Sequence, residues 1–277
     1  HLNGINENIV NLKKQIMEHN KHKEKIYLIE DCAVSLGSQS NKTNVGSFGD
    51  YCFLSFNIMK NITSYTGGVL VDNKKNITNI DVSKYKESSK IDILKKMIFV
   101  FIIQLLNSKI LFFLFFKLIK YSHKYSFDFF LKKYRTDFEV KIENKFPSKF
   151  SHFMHSFQMK ILLDQFKSMK EKQISKINKS EIYFNNLKHI KYLSFPQSEF
   201  CVKNIFLEFP IICETKNMKE NLFDYLLERK IDVKNYYYKN CCYEKIYDIY
   251  KNSCSNSQRV SDNILMLPVH EKIEKNY

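Results

Sequence analysis

Two hydrophobic periodicities alternate along the N-terminal part of the chain. Over residues 5–24 apolar side chains recur at Ile9, Leu12 and Ile16 among polar ones, the spacing of an amphipathic helix. Residues 26–29 are a short apolar run ending on Glu30-Asp31, the pattern of a buried parallel strand with a carboxylate at its carboxyl end. Open α/β sheets place ligand chemistry at that edge. Residues 45–50, Val-Gly-Ser-Phe-Gly-Asp, read as a turn. Residues 51–56 then read as a strand, and 68–72 as another. The order is helix, strand, turn, strand, loop, strand, an α/β pattern with polar groups collected at strand ends.

The middle of the chain departs from this rhythm. Residues 97–119 are apolar over a length able to cross a bilayer, but Lys109 lies near the centre beside Asn107 and Ser108. A central lysine costs about 2.5–3.5 kcal/mol on insertion scales. Two short helices, 97–106 and 110–119, hinged at Asn107-Ser108, are the expectation. Such a pair packs on the protein, meets a second copy, lies on a membrane surface or spans it. After a polar connection over 120–150, residues 152–188 read as one long helix with an apolar stripe of Met154, Phe157, Ile161 and Met169. A strand at 205–213 and a helix to Arg229, capped by Asn217 with Glu220, follow. Residues 231–238 are rich in strand formers, and a strand at 264–267 stops at Pro268. This end of the chain reads as a small α+β domain, in which Tyr236, Tyr237 and Tyr238 are core or edge residues or line a cleft.

Composition narrows the function classes. The 277 residues are 44% hydrophobic and 15% aromatic, which argues against disorder. The net charge of +15 invites a nucleic-acid or anionic-membrane reading, but the lysines run from end to end without a clustered face. No nucleic-acid role is expected. Cysteines at 32, 52, 201, 213, 241, 242 and 254 are odd in number and contain no C-x-x-C, so neither a disulfide framework nor a zinc site is expected, and a cytoplasmic setting is. His152 and His155 form an H-x-x-H with no carboxylate near in sequence and read as surface or core histidines. The chain opens on His1 with a segment expected to be structured and reads as part of a longer protein.

Residues 51–68 hold the candidate chemistry. The strand is followed by a loop carrying Lys60 and by Gly67-Gly68. On spacing alone Lys60 is one surface lysine among many. Taken in order, Ile29-Glu30-Asp31-Cys32-Ala33, the 45–50 turn, Ser55-Phe56-x-x-x-Lys60 and Gly67-Gly68 resemble the DegT/StrS family of sugar aminotransferases. His1-Leu2-Asn3-Gly4, Ser151–Gln165 and Ser261–His270 extend the resemblance through nearly the whole chain except 97–119.

That resemblance implies a pyridoxal-phosphate-dependent transferase fold. Residues 1–96 would be the remainder of the large mixed-sheet domain, and 97–150 an apolar helical insertion and connection. Residues 151–277 would form the linking helix and small α+β domain. It implies pyridoxal 5'-phosphate as cofactor and a nucleotide-linked sugar bearing a keto group as substrate. An amino-acid donor such as glutamate and a homodimer with sites at the subunit interface complete the expectation. Lys60 matches the lysine that condenses with the cofactor aldehyde, Asp31 the carboxylate facing the ring nitrogen, and Ser55 the serine on the phosphate. Family relatives that dehydrate rather than transaminate carry histidine in place of that lysine, so Lys60 favours amino transfer. Val34 stands where the family usually has Gln or His beside the ring, Asn57 where a histidine is usual, and Thr66 where a Glu precedes the glycines. Ser151 falls near the asparagine that a neighbouring subunit commonly offers to the phosphate. About the first hundred residues of the family pattern, with a second phosphate loop and a stacking aromatic, have no counterpart here. A non-catalytic relative that binds a nucleotide sugar or a partner, in the cytoplasm or at a membrane surface through 97–119, is the alternative.

Overall fold

The computed structural model describes residues 1–5, 8–75, 77, 81–106, 108, 111, 145, 151–196, 202–235, 240–270 and 273. Its residues form two compact units, one of 1–80 with 156–277 and one of 81–155.

In the first unit, helix α1 (Ile9–His19) is shorter than its polar-apolar pattern. The Asn8 side chain accepts the Asn11 N–H at 3.3 Å and opens it. At the far end the Asn20 amide bridges the N–H and C=O of Ile26 at 2.8 and 3.0 Å and turns the chain toward the sheet. Strand β1 (Ile29–Asp31) starts later than the apolar run, because the Leu28 N–H is taken by the Asp50 carboxylate at 2.8 Å. A short hairpin, β2 (Gln39–Ser40) and β3 (Thr43–Asn44), precedes β4 (Tyr51–Ser55) and β5 (Gly68–Asp72). β1 runs parallel to β4, and β4 antiparallel to β5, in the order β1-β4-β5.

One face of this mixed sheet is packed: Cys52, Leu54 and Val71 meet Cys32 and Val45. The other carries Ile29, 58% exposed, with Phe53 and Leu70 also exposed. The expectation of a fully buried strand at 26–31 is therefore corrected. Its residues alternate across the sheet, and only one side has a packed neighbour among the described residues.

The second unit contains β6 (Lys86–Glu87), α2 (Lys90–Leu106) and β7 (His152–Phe153), with β6 parallel to β7. Helix α2 starts ahead of the predicted apolar half and stops just before Asn107. The other half, 110–119, lies outside the described residues, as does nearly all of 120–150. Among the described residues no helix is long and apolar enough to cross a membrane. His155 is buried, with Nε2 at 3.6 Å from a Glu87 carboxylate oxygen, a partner that sequence proximity did not reveal.

The first unit resumes with α3 (Ser156–Leu187), close to its predicted span. Its buried positions are Gln158, Leu162 and Ser180, not the expected stripe. Met154 precedes the helix and Phe157 is exposed. Gln158 is buried because this part of the helix meets the 61–66 loop, whereas Tyr183 and Leu187 near its end pack on the Phe209 core.

Short strands β8 (Leu193–Ser194) and β9 (Val202–Lys203) lead to β10 (Phe209–Cys213), α4 (Lys216–Glu228), α5 (Ser255–Asn263) and β11 (Ile264–Leu267). β10 lies antiparallel between β8 and β11. Phe209, Ile211, Val233, Leu265 and Leu267 form a core that Leu222, Phe223 and Leu226 of α4 cover. This is the expected small α+β domain. Two details differ. The strand begins at Phe209 rather than 205, and the cap of α4 is Thr215, whose hydroxyl accepts the Met218 N–H at 3.2 Å. Asn217 already lies inside the helix, and Glu220 instead accepts from the Asn235 amide at 3.1 Å. In the β-rich stretch Lys234 pairs with Met266 as an isolated bridge, and Tyr236, Tyr237 and Tyr238 lie outside the described residues.

Candidate active site

Alternation along β1 sends its two carboxylates to opposite faces. Glu30 points into the packed side and is 2% exposed. It accepts the N–H of Gly49 at 2.6 Å and of Gly46 at 2.8 Å, and lies 3.0 Å from His1 Nε2. The residue 45–50 turn is thus wound around a buried carboxylate. Gly46, at φ +91°, sits where a Cβ would stand 2.8 Å from the Cys52 sulfur, so both its backbone and its smallness are required. From outside, the Asn73 side chain donates to the carbonyls of Gly46 and Gly49 at 2.7 and 3.0 Å.

The other carboxylate, Asp31, is exposed at the carboxyl end of β1, with Oδ1 accepting the Ala33 N–H at 2.9 Å. Register pairs Asp31 with Phe53 on β4, which puts Ser55 two residues further along the neighbouring parallel strand and on the same face. Because the strands are parallel, both carboxyl ends open at one edge. There the chain leaves the sheet: Phe56 is buried against Phe166 of α3, and residues 57–60 turn, with the Lys60 N–H donating to the Asn57 carbonyl at 3.3 Å. Met59, immediately before Lys60, holds φ +71°, uncommon for a non-glycine residue.

The five residues singled out in sequence thus fall at one end of the sheet. Asp31 and Ser55 end adjacent strands, and Lys60 and Asn57 belong to the turn leaving β4. Val34 is half-buried in the turn leaving β1. Asn57 works locally, its side-chain oxygen accepting the Ile58 N–H at 2.9 Å. Cys32, next to Asp31, is not primed as a nucleophile. Its hydrogen bond with the Cys52 sulfur, then burial, holds its pKa above the ordinary thiol value. His1 Nε2, a Glu30 oxygen and the Cys32 sulfur lie within 4.8 Å of one another, a donor set of metal-ligand type in which the carboxylate already serves the turn glycines. An aromatic cleft of about 380 Å³, lined by Phe184, Phe195, Phe206 and Lys203 among others, shares no residue with the Lys60 end of the sheet.

Sequence reasoning missed the residues that support this edge. Gln165 of α3 exchanges hydrogen bonds with both the N–H and the carbonyl of Thr63. Gln158 donates to the carbonyls of Ser64 and Thr66 at 2.9 and 3.3 Å, and Lys176 donates to the Asn61 side-chain oxygen at 2.7 Å. The available signal was two glutamines one heptad apart on a helix whose inward face was assumed to be apolar.

Residues bearing a carboxylate, a hydroxyl and an amine, gathered at one end of the sheet, match the ring nitrogen, phosphate and aldehyde of pyridoxal phosphate in chemical type. Comparison with known proteins agrees at the level of fold. An aminotransferase of the DegT/DnrJ/EryC1/StrS group from Brucella abortus superposes with a TM-score of 0.62 at 16% identity, covering 99% of this chain and 59% of that one. The Helicobacter pylori aminotransferase involved in the biosynthesis of pseudoaminic acid gives 0.61 at 17% identity, over 99% of this chain and 61% of its own. In sequence, a GDP-perosamine synthase of Vibrio cholerae is 50% identical over 48 residues, 17% of this chain and 13% of that protein. The chain therefore spans about three fifths of the length of these solved structures. The sequence profile of the DegT/DnrJ/EryC1/StrS aminotransferase family matches residues 11–86 and 133–277. This chain belongs to that family and has its α/β pyridoxal-phosphate-dependent aminotransferase fold, a mixed sheet followed by a C-terminal α+β subdomain.

Proposed function

We propose that the protein is an aminotransferase converting a keto group of a nucleotide-linked sugar to an amine, with an amino acid such as glutamate as donor. It would act in the cytoplasm, in the biosynthesis of a surface polysaccharide or glycoconjugate, as a homodimer. The observation that carries this reading is the delivery of Asp31 and Ser55 to one edge of the sheet by parallel β1 and β4, with Lys60 on the turn that leaves it. The stretch shared with a GDP-perosamine synthase supports the nucleotide-sugar class.

Pyridoxal phosphate, when bound, supplies an aldehyde to hold amines covalently and a ring that takes up the electron pair left on Cα when its proton departs. The chain's residues divide the remaining work. The Lys60 amine would hold the cofactor and carry the proton between the two carbons of the transfer. The Asp31 carboxylate would keep a proton on the ring nitrogen, and the Ser55 hydroxyl would donate to the phosphate. Val34 and Asn57 would flank the ring, Val34 by apolar contact alone.

The test is made on the full-length protein. It should carry a visible cofactor absorbance, and borohydride reduction should fix the cofactor's mass on the peptide containing Lys60. Lys60→Ala should remove both the mass and the turnover. An unchanged spectrum and rate in that variant would sink the assignment.

A second reading, a non-catalytic relative that binds a nucleotide sugar or a partner, is favoured by Val34 at a position usually polar. Stoichiometric cofactor with turnover removes it, and failure of the complete protein to bind cofactor supports it. Exposed Ile98, Phe101, Ile102 and Leu105 of α2 support contact of that segment with a second copy or a membrane surface. Cosedimentation with vesicles decides between them.

A further inference from the structure

The loop from Asn61 to Thr66 presents a problem in backbone chemistry. It runs between β4 and β5, outside the ladder that pairs them, yet Ile62 and Ser64 are fully buried. Buried peptide groups need partners, and leaving one unmade costs about 1–3 kcal/mol. Part of the answer is internal: the Ser64 N–H donates to the Phe56 carbonyl at 2.9 Å, and the Tyr65 N–H to the Thr63 hydroxyl at 2.9 Å. The rest comes from α3. A glutamine side chain carries the same donor and acceptor as a peptide unit. Gln165 presents both to Thr63, with the Thr63 N–H donating to its Oε1 at 3.0 Å and its Nε2 donating to the Thr63 carbonyl. The pattern is that of a strand neighbour in a ladder. Two helical turns earlier, Gln158 is fully buried and takes the carbonyls of Ser64 and Thr66. Three turns beyond Gln165, Lys176 grips the side chain of Asn61, the residue next to Lys60.

The loop also holds backbone that would relax if released. Met59, just before the gripped segment, and Tyr65, within it, stand at φ +71° and +69°. Such conformations persist when surrounding contacts over-determine them. We propose that Gln165, aided by Gln158 and Lys176, is a positioning residue for Lys60. The amide of α3 fixes the loop so that the lysine amine is held at the Asp31–Ser55 edge. The proposal rests on Lys60 being the cofactor lysine. It adds that the lysine's placement is set from a helix more than one hundred residues away in sequence, by side chains whose hydrogen bonds reach the loop.

Gln165→Met keeps length and volume while removing both hydrogen bonds, and Gln165→Glu keeps only the acceptor for the Thr63 N–H. Amide hydrogen exchange on the full-length protein without cofactor reads the clamp directly. In Gln165→Met the residue 61–66 amides should exchange about tenfold faster or more, while the β10–β11 amides keep their protection. Gln165→Glu should fall between Met and wild type. With cofactor, Gln165→Met should lower kcat about tenfold to a hundredfold with KM for the amino donor nearly unchanged, and should shift the pH profile of kcat. Unchanged exchange at 61–66 would overturn the clamp. Faster exchange there, with wild-type kcat and pH profile, would overturn the positioning role. Lys60→Ala, run in parallel, separates the two failures: if it retains reducible cofactor, the reading of Lys60 has failed, whatever Gln165 does.

Discussion

Glu30 and Gly49, nineteen residues apart, are joined by a 2.6 Å hydrogen bond in which a fully buried carboxylate accepts a glycine N–H. The same carboxylate accepts from Gly46 and meets His1, so one side chain fixes the turn that brings β4 alongside β1. Asp31 and Ser55 share an edge because of it.

Glu30→Gln should therefore destabilise the fold out of proportion to its size. The amide presents an NH2 to a site where two backbone N–H groups already point, so at least one donor loses its partner. A buried hydrogen bond to a charged acceptor is worth roughly 1.5–3 kcal/mol, and the loss should lie in that range. The midpoint of urea unfolding measures it, with an unchanged slope expected. A shift below about 0.5 kcal/mol, the usual scale of a surface change, would show that the turn does not depend on the carboxylate.

Gly68→Ala addresses the strand that closes the Lys60 loop. A Cβ at Gly68 would stand 2.4 Å from the Leu54 carbonyl oxygen, a backbone atom that cannot swing aside. β5 would have to move away from β4 where Ser55 pairs with Gly68. The expected destabilisation is about 1–3 kcal/mol, read from urea unfolding, with faster amide exchange confined to the β4–β5 pair. Unaltered stability would mean that the strand end yields freely.

The legibility of this chain in its sequence divides along physical lines. β4, β5 and β11 were readable because their apolar patterns are local and their ends carry Gly, Ser or Pro, and the long helix was readable in its span but not in the face it buries. β1 was displaced because a distant carboxylate, Asp50, captured the Leu28 N–H. The α4 cap was misassigned because Thr215 and Asn217 both have capping chemistry and only the backbone at Thr215 is extended. Asp31, Ser55 and Lys60 were singled out through their order along the chain. Gln158, Gln165 and Lys176 were not, since a helix pattern tells which residues share a face but not that the face meets bare backbone.

Tyr183 gives a prediction with a pH axis. Its hydroxyl donates to the Pro268 carbonyl at 3.0 Å, and burial raises its pKa above the ordinary 10.0. An acid whose folded pKa is raised contributes stability that is complete below its unfolded pKa. As pH rises past that value the unfolded chain ionises first, and the contribution is lost on the way to the folded pKa. Tyr183→Phe should cost about 1 kcal/mol near neutrality through the missing hydrogen bond. The gap between variant and wild type should hold constant up to about pH 9 and narrow as pH rises past about 10 toward the raised folded pKa, as urea midpoints would record. A gap constant across that window would mean that the phenol titrates alike in both states.

Asp31→Asn separates stability from chemistry. Asp31 is exposed, and an asparagine oxygen at the same place can still accept the Ala33 N–H, so the unfolding midpoint should stay within about 0.5 kcal/mol of wild type. The neighbouring Glu30 would shift the same midpoint several times further, although both residues are carboxylates on a three-residue strand. Turnover should behave in the opposite way. A neutral amide cannot hold a proton on the cofactor ring nitrogen, and losing a charge placed against the reacting system typically lowers kcat by on the order of 10²–10³-fold. Bound cofactor should remain on Lys60, visible by borohydride reduction, because attachment requires the amine and not the carboxylate. A variant that keeps full kcat would remove Asp31 from the site. One that loses cofactor altogether would recast Asp31 as a binding rather than an electronic element.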